Sequence, residues 1–172
     1  MTLEEKARKI KLLILDVDGI MTDGRIYYGN YGDELKSFDV KDGFGIVLLR
    51  KAGIETVIIT AKKSKIVRLR AKDIGIRLVY ENPSKMKVYE KLLKKFNISG
   101  EEVCFAGDDL LDIPILKDAG LAVTVPQAVD EVKQIASYVT KAKAGRGAVR
   151  EICEIILKSQ GKWGEVTAKY IS

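Results

Sequence analysis

Six short apolar runs punctuate the chain: KLLIL (11–15), TVIIT (56–60), RLVY (77–80), VCFAG (103–107), LAVTV (121–125) and YVT (138–140). They read as buried parallel strands. Between them, apolar residues recur at helical spacing, with Tyr89, Leu92, Leu93 and Phe96 in one stretch and Val149, Ile152, Cys153 and Ile156 in another. Ser64 can cap a helix that Gly75 ends. Strand and helix in alternation predict an α/β fold with a doubly wound, mostly parallel sheet. Such a sheet has right-handed crossovers and a ligand site at the carboxyl ends of its strands.

Two segments break the alternation. RIYYGNYGDELKSFDVKDG (25–43) is turn-rich, with IYY and LKSF flanking glycines, and predicts a β-hairpin that projects from the sheet or pairs elsewhere. The tail GKWGEVTAKYIS (161–172) has no clear period and carries Trp163 and Tyr170, so it reads as either frayed or docked. Neither repeats nor a linker divide the 172 residues, so a single domain over 1–172 is expected.

Charge changes the picture little. The net charge of +6 comes from lysines scattered through every segment, with no basic block and no aromatic stacking pattern, which argues against a nucleic-acid partner. The charged start MTLEEKARKIK lacks the apolar centre of a signal peptide, and no run is long enough to span a bilayer; a cytoplasmic protein with no membrane partner is expected. Cys104 and Cys153 fall in apolar settings and read as buried reduced thiols. Histidine is absent, so acid–base chemistry must come from carboxylates, lysine, tyrosine or cysteine.

The candidate chemistry lies in LLILDVDGIMTDG (12–24), which places Asp16, Asp18 and Asp23 behind an aliphatic run. Residues two apart on a strand face the same way, so Asp16 and Asp18 can converge where the chain leaves the sheet. A bare Asp-x-Asp also serves as a turn or cap. A second cluster, AGDDLLD, puts Asp108, Asp109 and Asp112 at another strand end, where Asp109 can cap a helix from Leu110. Asp16, Asp18, Asp108, Asp109 and Asp112, five carboxylates at two strand ends without histidine or clustered cysteine, suit a hard cation, Mg²⁺ above all. Thr60, closing TVIIT, and Lys85, opening a helix after ENPS, each have a dull explanation: a strand-end hydroxyl on a loop amide, and a solvated cation.

Taken in order, Asp-x-Asp, Thr, Lys and Gly-Asp-Asp-x-x-Asp at strand ends resemble the haloacid dehalogenase superfamily. From Leu12 to Leu157 the chain is similar to the 3-deoxy-D-manno-octulosonate 8-phosphate phosphatase family, through DVDGIMTDG, KDGFGI, GDDLLD and AGRGAVRE. Receiver domains share these residue types but carry Thr and Lys after later strands, whereas here both precede GDD. The resemblance implies a Rossmann-like phosphatase of lipopolysaccharide precursor synthesis. In it Asp16 is the nucleophile and forms an aspartyl-phosphate, while Asp18 is the general acid and then base. It also implies Mg²⁺ held by the Asp16 carboxylate, the Asp18 carbonyl and the Asp108 carboxylate. Lys85 and the Thr60 hydroxyl address the nucleophile or phosphoryl group, Asp109 orients Lys85 or a metal-bound water, and Asp112 stands behind the site or is structural. A nine-carbon sugar acid 9-phosphate as substrate, or a silent assembly module of the same fold, remain as alternatives.

The gaps from Asp16 to Thr60 and from Thr60 to Lys85 leave no room for a cap domain. By the resemblance, the hairpin assembles a homotetramer in which a neighbour covers each site, with Tyr27, Tyr28 and Phe38 as candidate contacts. A phosphorylated sugar acid adds a carboxylate to the phosphate, so Lys62, Lys63, Arg68 and Arg146 are candidate substrate-binding cations. Ala61-Lys62 stands where relatives usually have Gly-Arg, and lysine lacks the bidentate fork. KAGRGAV (143–149) precedes a helix that could receive an anion at its start.

Overall fold

A computed structural model describes residues 1–171. In chain order it contains α1 (Leu3–Arg8), β1 (Leu12–Leu15), β2 (Tyr27–Tyr28), β3 (Glu34–Leu35), α2 (Val40–Lys51), β4 (Glu55–Thr60), α3 (Lys65–Asp73) and β5 (Leu78–Glu81). The second half adds α4 (Lys85–Phe96), β6 (Val103–Ala106), α5 (Ile113–Asp118), β7 (Leu121–Thr124), α6 (Asp130–Ile135), β8 (Tyr138–Val139), α7 (Ala148–Ser159) and α8 (Trp163–Ile171).

All six apolar runs become strands of one sheet, in the order β5-β4-β1-β6-β7-β8, and every pairing is parallel. The central strands β1 and β6 are wholly buried, which is why they read as unbroken aliphatic runs. Helices form two groups around the sheet, α1, α2, α7 and α8 in one and α4, α5 and α6 in the other. From β1 the chain winds outward through β4 to β5, then returns to the other side of β1 for β6, β7 and β8. The direction of winding therefore reverses between β1 and β6, and a crevice opens beyond their carboxyl ends. Only β2, β3 and α2 separate Asp16 from Thr60, and only α3 and β5 separate Thr60 from Lys85, so there is no cap. No helix among the described residues is long and apolar enough to cross a membrane. Cys104 and Cys153 are buried thiols.

The structure corrects three local expectations. The hairpin pairs Tyr27 with Leu35 and Tyr28 with Glu34, but the stretch 25–43 overruns it. Asp39 accepts hydrogen bonds from Lys41 N and Asp42 N at 2.6 and 3.2 Å, and this cap starts α2 at Val40. Of the two readings of the tail the docked one holds, but as a helix where the sequence shows no clear period: α8 docks on α2 and α7, and Ser172 lies outside the described residues. Its anchors are aromatic, with Tyr170 edge-on to Phe44 at 5.3 Å and Trp163 beneath Arg150 and Lys158.

The third correction concerns the start of α7. Gly147 N and Arg150 N donate to the Asp42 carboxylate at 3.4 and 2.8 Å, so the anion at this helix start is a side chain of α2. Burial pushes Asp42 up to about 6 from 3.8, against the pull of those amides. An acid raised in the folded state contributes stability in full below its unfolded pKa and loses it as pH rises through the folded pKa. Asp42→Asn removes this titration. The stability of the parent relative to the variant should thus fall by roughly 2 kcal/mol between about pH 4 and about pH 7, read from urea melts. A pH-independent difference would show that the carboxyl ionises as freely in the folded chain as in the unfolded one.

Candidate active site

Asp16 follows β1 directly, and its N–H still donates to Ala106 O of β6 at 3.0 Å, so it begins the departure from the sheet at the crevice. Beyond it the Val17 carbonyl accepts from Ile20, Met21 and Thr22 N–H at 3.1, 2.9 and 3.2 Å, winding the loop tightly. Gly19 adopts φ +88° there, and a Cβ at that position would overlap the Asp108 carboxylate. The glycine is what lets the two acidic loops approach each other.

A cavity of about 280 Å³ opens at this point, lined by Asp16, Asp18, Thr60, Lys62, Lys85, Asp108, Asp109 and Asp112, with Gly24, Ala61 and Leu111. A larger groove of about 780 Å³ lies at the opposite, amino ends of the strands, where Lys9 pairs with Glu101 at 3.2 Å and Lys11 with Glu102 at 2.5 Å. Charges there neutralise one another at the surface, so the smaller cavity holds the chemistry.

On the cavity floor Lys85, the first residue of α4 and only 4% exposed, donates to Asp16 Oδ1 at 2.9 Å and Asp112 Oδ1 at 2.7 Å. Asp112 is fully buried, and its Oδ2 accepts from Asp108 N and Asp109 N at 3.0 and 3.3 Å. This corrects one branch of the expectation for Asp109: Asp112, not Asp109, orients Lys85, and for Asp109 the metal-bound water remains. Asp109 turns outward and caps Leu110 N at 2.7 Å, because the turn over 110–112 swings Asp112 back under its own loop.

Asp16, Asp108 and Asp112 each present an oxygen within 4.8 Å of the others. Burial pushes Asp16 up to about 6 against the pull of Lys85, with Asp112 adding repulsion. Burial and repulsion from Asp16, Asp112 and Asp109 push Asp108 up to about 7. Burial opposes the Lys85 ammonium, yet Asp16 and Asp112 outweigh it and raise its pKa. Carboxylates crowded in this way hold protons unless a cation replaces them, and an all-oxygen donor set fits a hard divalent ion. Both Asp112 oxygens are already committed, which leaves Asp16 and Asp108 as the carboxylates facing such an ion. Among the described residues nothing donates to the Asp18 carbonyl, which leaves that oxygen free of a hydrogen-bond partner.

Thr60 is buried at the end of β4 and lines the cavity. Of the four cations expected to meet substrate, only Lys62 lines it; its ammonium is held by Tyr28 OH at 2.6 Å and Glu34 at 3.2 Å. Arg146 lines a neighbouring cleft of about 250 Å³ with Asp23, Ser37, Phe38, Asp39 and Gly145. Lys63 is exposed outside both, and Arg68, one turn into α3, is taken by the Glu81 carboxylate at 2.6 Å. These two are not brought to the site. Asp23 is likewise a turn residue, accepting from Arg25 N at 3.0 Å.

Sequence reasoning missed Glu34 and Lys36. The hairpin is inverted: Leu35 points to solvent at 62% exposure while Glu34 and Lys36 turn inward, and the Lys36 ammonium pairs with both Asp18 and Glu34. Their identical parity in ELK was the available signal, since residues two apart share a face.

Residues 46–152 match the family of haloacid dehalogenase-like hydrolases. The chain is 46% identical over 167 residues to the 3-deoxy-D-manno-octulosonate 8-phosphate phosphatase of Escherichia coli K12, covering 96% of this chain and 89% of that one. The crystal structure of the phosphatase of the same name from Yersinia pestis superposes with a TM-score of 0.91 at 44% identity, over 93% of this chain and 87% of that one. The Moraxella catarrhalis phosphatase, solved in complex with magnesium ion, phosphate ion and a KDO molecule, gives 0.95 at 38% identity, over 98% and 97%. With its acidic crevice at the switch point of the same sheet, the chain belongs to the 3-deoxy-D-manno-octulosonate 8-phosphate phosphatase family of haloacid dehalogenase-like hydrolases.

Proposed function

We propose that residues 1–172 form one phosphatase domain that hydrolyses 3-deoxy-D-manno-octulosonate 8-phosphate to the free sugar acid and phosphate, with Mg²⁺ as cofactor. The observation that carries this reading is Asp16, buried at the switch point and held by Lys85 beside Asp108. A phosphate monoester needs an in-line nucleophile, offset of equatorial charge and an acid for the leaving alkoxide. An Asp16 carboxylate oxygen attacks phosphorus, forming an aspartyl-phosphate as the bond from phosphorus to the sugar oxygen breaks. Asp18 gives that oxygen a proton, then removes one from the water that cleaves the aspartyl-phosphate, releasing phosphate and restoring Asp16. Lys85 and the Thr60 hydroxyl bind the phosphoryl oxygens. Held by Asp16, Asp108 and the Asp18 carbonyl, Mg²⁺ supplies charge neutralisation at the phosphoryl group.

Lys62 and Arg146 then flank the mouth as partners for the sugar carboxylate. Lys62 offers a point charge where relatives usually carry a fork, which leaves the nine-carbon sugar acid 9-phosphate as the second reading. The hairpin exposes Tyr27 and Leu35 on its outward face, Tyr31 at its tip and the ring of Tyr28, and these aromatic and aliphatic side chains support a homotetramer in which a neighbour covers the open mouth. The enzyme is assigned to the cytoplasm, in lipopolysaccharide precursor synthesis.

The experiment is a kinetic panel of the eight-carbon ester, the nine-carbon ester and a hexose phosphate, with Mg²⁺ or with chelator. The expected result is preference for the eight-carbon ester and loss of turnover on chelation. Preference for the nine-carbon ester moves the assignment to the second reading, equal rates mark an unselective phosphatase, and no turnover marks a silent module. Light scattering on the same preparation decides assembly, since a fully active monomer is incompatible with shared lids.

A further inference from the structure

Lys36 is a buried cation without a place in the chemistry above. Its ammonium-bearing side chain is 1% exposed, although it stems from an otherwise solvated hairpin. It pairs with the Asp18 carboxylate and with Glu34 Oε1 at 3.2 Å. Glu34 in turn takes Lys62 at 3.2 Å and the Ser64 hydroxyl at 3.4 Å, which ties the hairpin to the loop after β4. Burying an ammonium is costly unless paired, and an apolar side chain would fill the same space at lower cost. Among the described residues, Lys36 is the only hydrogen-bond donor to the Asp18 carboxylate.

We propose that Lys36 is a positioning residue for Asp18, fixing its carboxyl where it meets the leaving oxygen. This rests on the reading of Asp18 as the acid. An acid must lie within hydrogen-bond reach of the atom it protonates, and a displacement of about 1 Å lowers the rate by about 100-fold. Asp18 sits on a loop beyond the end of its strand, with no helix to hold its rotamer. The hairpin supplies that constraint from within the same chain.

The test separates proton delivery from binding and folding. In Lys36→Met the alkyl stem remains and the charge is gone. The readout is kcat/KM, which ends at formation of the aspartyl-phosphate, measured on three esters with Mg²⁺: the eight-carbon sugar acid phosphate, a sugar phosphate without a carboxylate, and p-nitrophenyl phosphate, whose phenolate departs without a proton. We expect a fall of about 100-fold on both sugar esters, a change under about 3-fold on the aryl ester, and recovery of about 10-fold on the sugar esters in Lys36→Arg. An equal fall on all three overturns the proposal, since Lys36 then supports the fold or the nucleophile. A fall confined to the carboxylate-bearing ester overturns it too, making Lys36 a substrate anchor. If Lys36→Met does not fold by thermal melting, the same selective pattern, smaller in size, must appear in Lys36→Arg, and its absence there is equally fatal. A parent inactive on every ester refutes the phosphatase reading itself; an active parent with uniform losses in the variants refutes only the role of Lys36.

Discussion

Asp16→Asn is expected to leave a folded protein whose turnover is lower by about 10⁴-fold or more. The amide oxygen is a poor nucleophile, and no other carboxylate sits where Asp16 does, directly beyond β1 at the reversal of winding. Folding should survive, because Asn keeps an acceptor for Lys85 and Lys85 retains Asp112 as counter-charge. Removing a carboxylate whose pKa burial has pushed up to about 6 also relieves repulsion with its neighbours. Two measurements check this: steady-state hydrolysis alongside thermal melting, and acid quenching with radiolabelled ester, which should trap label on the parent chain and none on the variant. A variant that turns over like its parent would end the nucleophile assignment and the mechanism built on it.

Asp112→Ala should be the most damaging change to the fold within the site. Its carboxylate is fully buried and serves Lys85, Asp108 N and Asp109 N together, so its loss leaves the buried Lys85 with Asp16 as its one remaining counter-charge and strands two loop amides. Breaking a buried pair from one side costs about 3–5 kcal/mol. The Asp108 loop loses its anchor as well, and turnover should fall by about 100-fold or more. Urea denaturation against the parent decides the first part, and a loss below about 1 kcal/mol would mean that water already reaches this carboxylate.

Why did the sequence place Asp112 lower than it belongs? Asp16, Asp108, Thr60 and Lys85 were legible because each closes or follows an apolar run, and strand period plus parallel winding brings such ends together. Asp112 depends on a single tight turn over 110–112 that folds it under its own loop, and spacing alone does not say which of two neighbouring aspartates points inward. Arg68 was misjudged for a related reason: Glu81 lies at the end of the adjacent strand and claims it before any ligand does. The helix over 163–171 was hidden because Gly164 and Thr167 interrupt its apolar spacing, while its docking depends on Phe44 far away in sequence. Asp42 and Lys36 share that character. Their partners are, respectively, a helix start and a loop that only tertiary folding delivers.

The inverted hairpin carries a consequence for how this chain can vary. Parity along β3 sends Glu34 and Lys36 toward the crevice and Leu35 to the outside. One residue inserted at the tip near Gly32 would exchange those faces, turning an aliphatic side chain onto Asp18 and two charges to the solvent. Length changes at this tip are therefore tolerable in steps of two, and an odd indel there should be as disabling as a missense change at the crevice itself.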